Sequence, residues 1–281
     1  MIDAHFHAWS IQRGDYGWLT PELTPIYRDV SVSDWQRLAE REGISGGVLV
    51  QAAPTCAETQ FLLDLARMHP MVKGVVGWMD MLAPDAVRQV ERLAREPLLK
   101  GLRPMLQDLA DPAWILQSAI SPVLQAMTRC GLVLDALITP EHLPHLQVLI
   151  ERHPDLTVVI DHGAKPKLAP EVPSEWARAM TLLARQSNPE KVLCKLSGLW
   201  TQAPVASDCE VVRDACELLL QTFGPQRLIW GSDWPVLELA GTYSRWCEVT
   251  RQVLQPYTLA QQAAVWGENA RRIYRLEGRL V

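Results

Sequence analysis

The sequence predicts one (β/α)8 barrel, of the TIM-barrel type, that occupies residues 1–281 as a single domain. The main observation is a recurring pattern: a short apolar segment followed by a longer segment with helical periodicity occurs eight times. This alternation favours parallel strands joined by helical crossovers, and eight such units in about 250 residues typically close into a barrel. An open doubly wound sheet is the alternative. The Gly-x-Gly-x-x-Gly loop expected after one of its early strands is absent from the sequence.

The predicted strands are nearly continuous apolar runs, which is typical of strands buried on both faces of a parallel sheet. They are Ile2–His5, Gly47–Gln51, Gly74–Met79, Gly101–Met105, Leu132–Ile138, Leu156–Asp161, Val192–Ser197 and Leu228–Asp233. Helical spacing of apolar residues predicts helices over Ala57–Met68, Asp85–Arg95, Glu141–Arg152, Val211–Phe223 and, last, Leu259–Leu276. The aromatic-rich segment Ala8–Val30, between the first strand and the next helix, is long enough to be a functional lid.

The composition is that of a globular protein, with 48% hydrophobic and 21% charged residues. The net charge of -5 arises from intermixed acidic and basic residues, which argues against nucleic-acid or membrane-surface partners. No apolar stretch reaches the roughly 18 residues of a membrane span, and the first residues already form a predicted strand, so we expect a cytoplasmic protein. The dispersed cysteines are expected to be reduced: Cys56, Cys130, Cys194, Cys209, Cys216 and Cys247.

Polar residues at the strand ends predict a functional site, because barrel active sites are built at the carboxyl ends of the strands. His5 and His7 stand two apart at the end of the first strand, so in extended backbone both side chains point to the same side. Paired imidazoles suit a borderline metal ion or a hydrogen-bonding site for a carbonyl. The alternative is two histidines that merely cap the strand.

Two further strand ends carry a histidine or a carboxylate. His162 follows Asp161 at the end of the sixth predicted strand, and Asp233 ends the eighth. A carboxylate there can deprotonate an attacking water or ligate a metal. The alternative is local, since Asp161 and Asp233 can each accept hydrogen bonds from a turn. The other histidines are predicted at the surface: His69, His142, His145 and His153.

Arg103 ends the fourth strand and offers a planar fork of donors to a carboxylate or to a carbonyl oxygen that gains charge. A salt bridge beneath the loops, with Asp135, is the alternative. Asp135 is also a candidate for binding a substrate hydroxyl, and so is Lys195. The predicted substrate-binding set is completed by Trp18, Gln51 and Trp78.

A series of ordered motifs runs through the chain: Ile2–Trp9, Tyr16–Leu19, Val48–Ala52, Glu58–Thr59, Gly74–Trp78, Asp161–Pro166, Lys195–Gly198 and Gly231–Pro235. Together they resemble the amidohydrolase superfamily, whose first strand ends in His-x-His and whose eighth ends in a catalytic aspartate. The resemblance covers nearly the whole chain. It is closest to the branch of L-fuconolactone and L-rhamnonolactone hydrolases.

The resemblance implies at most one metal ion. Binuclear members of the superfamily carry a bridging lysine on the fourth strand and a histidine on the fifth, where this sequence has Arg103 and Asp135. The implied ligands of one divalent ion, Zn²⁺ or Mn²⁺, are His5, His7, His162 and Asp233. Catalysis without a metal is the alternative, because some lactonases of this kind work without one.

The resemblance also implies hydrolysis of a sugar lactone to the aldonic acid. Asp233 would take the proton of an attacking water, while His162 and Arg103 would stabilise the oxyanion. One rival hypothesis is a metal-dependent decarboxylase or a dicarboxylate lactonase of aromatic catabolism. The decarboxylase would be expected to keep the fifth-strand histidine, and the dicarboxylate lactonase to have several arginines at strand ends. The other rival is an inactive barrel that only binds ligands, which loss of His5, His7 or Asp233 would have favoured.

Overall fold

Eight parallel strands pair in chain order into one sheet in the computed structural model, which describes residues 1–168, 171–204 and 210–276. The strands are β1 (Ile2–Phe6), β2 (Gly46–Val50), β3 (Val72–Gly77), β4 (Leu99–Leu102), β5 (Val133–Ala136), β6 (Val158–Ile160), β7 (Val192–Leu196) and β8 (Leu228–Trp230). The predicted barrel is confirmed. Several strands end earlier than predicted, because their last polar residues leave the ladder and turn into the loops above it.

Helices surround the sheet in the alternating order that the periodicity predicts. They are α1 (Val32–Arg41), α2 (Cys56–Met68), α3 (Ala86–Leu93), α4 (Ser121–Cys130), α5 (Leu143–Arg152), α6 (Ser174–Gln186), α7 (Glu210–Phe223) and α8 (Tyr243–Leu254). Among the described residues, none of the helices combines the length and the apolar character that crossing a membrane requires.

The C-terminal segment differs from the single helix predicted over Leu259–Leu276. It forms α9 (Leu259–Ala263), a π-helical turn and α10 (Asn269–Tyr274). Gly267 in the turn lies against β1, where an added Cβ would come within 3.0 Å of the backbone nitrogen of Ile2. The turn redirects the chain so that α10 packs into the apolar cluster formed by alternate residues of the strands. The prediction of one continuous helix is therefore wrong, because tertiary contact with β1 overrides the helical periodicity.

The barrel closes where the carboxylate of Asp3 in β1 meets the segment after β8. Asp3 accepts hydrogen bonds from the backbone nitrogen and hydroxyl of Ser232, at 2.8 and 2.7 Å. It also accepts from Trp35 Nε1 at 2.8 Å, the Tyr243 hydroxyl at 2.9 Å and the His5 nitrogen at 3.2 Å. This one side chain ties β1 to the end of β8 and to helices α1 and α8.

Backbone hydrogen bonds continue this closure above Asp3. The nitrogen of Asp233 donates to the carbonyl of His5, and the nitrogen of His7 donates to the carbonyl of Trp234, both at 2.8 Å. The β1–β2 pairing is irregular between Asp3 and Phe6, so that Asp3 contacts the outer helices whereas His5 faces the barrel mouth. The side chains of a regular strand alternate between its two faces. The local irregularity in β1 breaks this alternation, so Asp3 and His5 point to different sides although they are two residues apart.

The segment Ala8–Val30 is packed against the barrel. Trp9 and Val30 exchange backbone hydrogen bonds at 3.0 and 2.9 Å, and Trp18 Nε1 donates to the carbonyl of Ala52 at 2.7 Å. Trp9 and Tyr16 are buried. These contacts place Trp18 above the end of β2, and the lid function remains a prediction.

Two smaller expectations can be compared with the structure. The five described cysteines are free thiols, as predicted, and Cys209 lies outside the described residues. His142 is buried, which corrects its predicted surface position. Its Nδ1 lies 2.8 Å from the Thr139 hydroxyl, because the segment after β5 turns His142 back onto the strand end.

Substituting Asp3 tests the closure of the barrel. In Asp3→Asn, an amide group replaces one acceptor oxygen and faces donors, so we expect the free energy of unfolding to fall by about 2 kcal/mol. The melting temperature should fall by about 5 °C in thermal unfolding followed by circular dichroism. The matched control is Asp155→Asn, on the exposed segment before β6, which should change stability by less than about 0.5 kcal/mol. Equal melting temperatures for the two variants would contradict the role of Asp3.

Candidate active site

Three imidazoles and one carboxylate converge at the carboxyl end of the barrel. His5 Nε2 lies 3.2 Å from His7 Nε2. The Oδ1 atom of Asp233 lies 3.3 Å from Nε2 of His7, 3.6 Å from Nε2 of His5 and 3.7 Å from Nε2 of His162. All four residues are buried. The structure thus brings together the four residues that the sequence predicts as metal ligands.

The other ring nitrogen of each flanking histidine is held by the barrel. His7 Nδ1 lies 2.8 Å from the carbonyl of Val50, which can only accept, so Nδ1 carries a proton. His162 Nδ1 lies 2.8 Å from the hydroxyl of Ser197 at the end of β7. Both rings therefore present Nε2 to Asp233.

Left-handed backbone aims two of these side chains. Asp233 has φ 58° and His162 has φ 54°, a conformation that costs a non-glycine residue on the order of 1–2 kcal/mol. Gly198, with φ 59°, lies against both, since an added Cβ would come within 2.4 Å of His162 Nδ1 and 3.0 Å of Asp233 Oδ2. The side chains can approach each other because position 198 has none of its own.

A second layer of charged groups lies beneath this cluster. Lys195 Nζ lies 2.5 Å from Asp135 Oδ2, 3.0 Å from Asp161 Oδ1 and 3.1 Å from His5 Nδ1. The hydroxyl of Tyr274 donates to the Asp135 carboxylate, at 2.8 Å from its nearer oxygen. Lys195, Asp135 and Asp161 have no exposed side-chain surface. An ammonium has three N–H donors, and here three acceptors surround it.

Arg103 pairs with Asp161, at 3.1 Å between Nη1 and Oδ2. The predicted alternative, a salt bridge between Arg103 and Asp135, is wrong because Lys195 and Tyr274 take up both oxygens of Asp135. Arg103 Nη2 also donates to the backbone carbonyl and side-chain oxygen of Gln51. Its Nε is buried without a hydrogen-bond partner among the described residues.

The pKa values follow from this charge distribution. Burial raises the pKa of Asp233, but the neighbouring charge of His162 and a hydrogen bond from His7 outweigh it and hold that pKa well below its usual range. Burial lowers the pKa of His162 to about 4. Burial and the charge of Lys195 hold the pKa of His5 well below its usual value. At neutral pH the cluster therefore contains an ionised carboxylate beside neutral His5 and His162.

The predicted substrate-binding residues fall into two groups. Gln51, Asp135 and Lys195 are fully buried and bonded to protein groups, so in this structure they support the cluster from below. Trp18 and Trp78 are half-buried and, with Trp114, line a cavity of 610 Å³ above the ends of β2, β3 and β4. We call this cavity the tryptophan cleft. Contact with substrate remains a prediction for all five residues.

The residues present fit one metal ion. Two sets of residues each bring one donor atom per residue within 4.8 Å of the other donor atoms of the set. The first set is His5, His7 and Asp233, and the second is His5, Asp161 and His162. Ligands of a tetrahedral Zn²⁺ at about 2.05 Å are separated by about 3.3 Å. The distances of 3.2 to 3.7 Å around Asp233 Oδ1 and His5 Nε2 are of that size.

Several supporting residues do not stand out in the sequence: Asp3, Gly198, Tyr274 and Trp114. Asp3 and Gly198 lie inside the motifs described above, but their roles depend on partners far away in the chain. Tyr274 lies in the segment whose course was predicted wrongly. Trp114 lies in a loop with no periodic signal, so only the fold reveals its neighbours.

Comparison with known proteins identifies relatives over nearly the whole chain. A sequence profile of the amidohydrolase family, described as "Amidohydrolase", matches residues 2–276. The chain is 42% identical to an L-fucono-1,5-lactonase of Burkholderia ambifaria, with 98% of this chain and 96% of that protein covered. It is 33% identical to an L-fucono-1,5-lactonase of Burkholderia multivorans over the same shares of each.

One similar solved structure contains a bound metal ion. The crystal structure of an amidohydrolase from Burkholderia multivorans with bound zinc is similar to this chain, with a TM-score of 0.91 and 33% identity. The similarity covers 98% of this chain and 99% of that one. A relative with bound zinc and a donor set of matching size together support the predicted single divalent ion.

Substituting Gly198 tests how closely the cluster must pack. In Gly198→Ala, the added methyl displaces His162 and Asp233, and we expect Zn²⁺ affinity, measured by competition with a chromogenic chelator, to fall about tenfold. The matched control is Gly14→Ala, where the backbone is left-handed with φ 70° and nothing lies within 4 Å of the added Cβ. Both variants lose about 1 kcal/mol of stability from the left-handed backbone. Equal zinc affinities in the two variants would show that the packing at position 198 does not matter.

Proposed function

The chain belongs to the amidohydrolase family, and we propose that it hydrolyses a sugar lactone of the L-fucono-1,5-lactone type to the aldonic acid. The observation that carries the proposal is the Asp233 carboxyl group set among three buried imidazoles at the barrel mouth. The proposal is also supported by a sequence relative, a lactonase that is 42% identical over almost the full length of both proteins.

Asp233 is the proposed general base. Because its pKa is held low, the carboxylate is free to accept a proton from water at neutral pH. The water oxygen attacks the lactone carbonyl, and the ring carbon–oxygen bond then breaks. The proton held by Asp233 passes to the departing ring oxygen, which leaves an aldonic acid.

His162 and Arg103 are proposed to stabilise the charge that develops on the carbonyl oxygen. Arg103 has an unpartnered buried Nε–H, and Ser197 fixes the orientation of the His162 ring. A preorganised donor of this kind typically contributes about 3 kcal/mol of transition-state stabilisation. A divalent ion held by His5, His7 and Asp233 would supply Lewis-acid polarisation of the ester carbonyl when bound.

The rival hypotheses have less support in the site. Within the described chain, the hydrogen bonds and ion pairs of the cluster involve one arginine, Arg103, whereas a dicarboxylate would require several cations. The fifth strand brings Asp135 rather than the histidine expected of a decarboxylase. A barrel that only binds ligands does not require three such groups, His5, His7 and Asp233, to converge at one point.

Proton release tests the proposal directly. At pH 7–8, we expect rapid acid release from L-fucono-1,5-lactone or a few related aldonolactones in a pH-indicator assay. Loss of activity after chelation, with recovery on adding Zn²⁺ or Mn²⁺, would assign a metal-assisted reaction, and survival would assign direct catalysis by His and Asp. No acid release from any aldonolactone, with metal added, would refute the proposed function.

The base is tested in the same assay. Asp233→Asn should lower kcat by at least about 100-fold, because the amide cannot take a proton, while thermal unfolding shows a retained fold. The control Asp155→Asn should keep wild-type turnover. Near-native turnover in Asp233→Asn would exclude Asp233 as the base.

A further inference from the structure

The tryptophan cleft lies beside the proposed reaction centre. Pro104, in its wall, directly follows Arg103. Trp18 makes an edge contact with Trp9 at 5.5 Å between ring centroids, and the Trp9 ring lies 6.2 Å from that of His7. The cleft therefore lies on the same face of the barrel as the cluster, close to it. The volume of 610 Å³ is within the usual range for small-ligand sites.

Aromatic surface dominates the wall of the cleft. Trp18, Trp78 and Trp114 are each half-buried, so one part of each ring is fixed by the protein and another faces the cavity. Met79 and Met81 add polarisable apolar surface. Such a wall suits the C–H face of a sugar ring, which is apolar although its edge carries hydroxyls.

The charges of the cleft are acidic. Its described lining contains Asp15, Asp80 and Asp108 and no lysine or arginine. Asp15 is neutralised by Arg13 at 2.7 Å. Asp80 and Asp108 are exposed, and in the described chain no cation lies within salt-bridge distance of either.

Hydrogen bonds to these two carboxylates leave their charge in place. Asp80 accepts from the Leu82 nitrogen at 2.9 Å, and Asp108 accepts from the Gln107 amide at 3.1 Å. Lys165 interacts electrostatically with Asp108, but its charge is shared with Asp233. The rim of the cleft therefore keeps an excess of negative charge next to a site that generates a carboxylate product.

We propose that Asp80 and Asp108 select for uncharged lactones, by repelling carboxylate-bearing lactones at entry and the aldonate product after ring opening. The inference rests on the proposed function and adds to it the residues that set the charge of the substrate. Neutral hydroxylated lactones lose nothing, because a carboxylate accepts hydrogen bonds from hydroxyl groups. An anion meets like charge at this exposed rim, and added salt screens the repulsion.

Conservative variants remove the charge without removing the acceptors. In Asp80→Asn and Asp108→Asn, the amide oxygen still accepts from the Leu82 nitrogen or the Gln107 amide, so the loop geometry is kept. Asp155→Asn, far from the cleft before β6, removes the same charge as a matched control. The probes are L-fuconate, the expected product anion, and the anionic lactone D-glucaro-1,4-lactone, each tested as an inhibitor of L-fucono-1,5-lactone hydrolysis.

At low ionic strength, we expect each single variant to tighten inhibition by both anions by about 5-fold and the double variant by more than about 10-fold. The inhibition constant of each anion should fall relative to KM for the neutral lactone, and the gain in anion binding should shrink in 0.5 M NaCl (about a 4 Å screening length). Asp155→Asn should leave all inhibition constants unchanged.

Two results would overturn the inference. Unchanged anion inhibition in the double variant, with normal hydrolysis of the neutral lactone, would refute charge selection by Asp80 and Asp108 and leave the proposed function standing. A wild-type protein that hydrolyses no aldonolactone would refute the proposed function, and the inference with it.

Discussion

The carboxylate of Asp3 is the interaction on which the rest of the structure depends. A barrel of parallel strands must join its first strand to its last, and here the buried carboxylate accepts five hydrogen bonds at that junction. Above it, the backbone of His5 bonds that of Asp233, and the backbone of His7 bonds that of Trp234. The distance between the His-x-His pair and the catalytic candidate Asp233 is therefore set by the closure itself. The closure at Asp3 therefore contributes both to the stability of the barrel and to the geometry of the site.

Charge balance explains how so many ionisable groups can be buried together. Lys195 and Arg103 provide two cations, and Asp161 lies between them while Asp135 accepts from Lys195 and Tyr274. An unpaired buried ion would cost several kcal/mol, whereas a layer in which each charge lies beside an opposite one avoids much of that penalty. The layer holds His5 from below through its Nδ1 atom. The residues predicted to bind substrate, Asp135 and Lys195, contribute here to the rigidity of the floor.

The sequence was sufficient for the barrel and for the four residues that converge on it, because both depend on local signals. Apolar runs locate the strands, and polar residues at their ends locate the site. The partner of Arg103 could not be predicted, since the choice between Asp135 and Asp161 depends on where Lys195 and Tyr274 lie. The break at Gly267 was missed for a similar reason: helical periodicity continues through it, and contact with Ile2 decides the backbone. The spacing of residues along the chain predicts strands and helices. The contacts between distant strands and helices can be identified only once the fold is known.

The reactive cluster and the tryptophan cleft come from different parts of the barrel. The reactive cluster comes from β1 and from the ends of β6, β7 and β8, and its side chains are fixed by backbone groups and buried partners. The tryptophan cleft comes from loops after β1 to β4, whose side chains are half-buried and bonded to few other residues. Substitutions in the cleft can therefore alter its lining without moving Asp233 or His162. The same division explains why the strand ends could be interpreted from the sequence, whereas the lining of the cleft, including Trp114 and Asp108, required the fold.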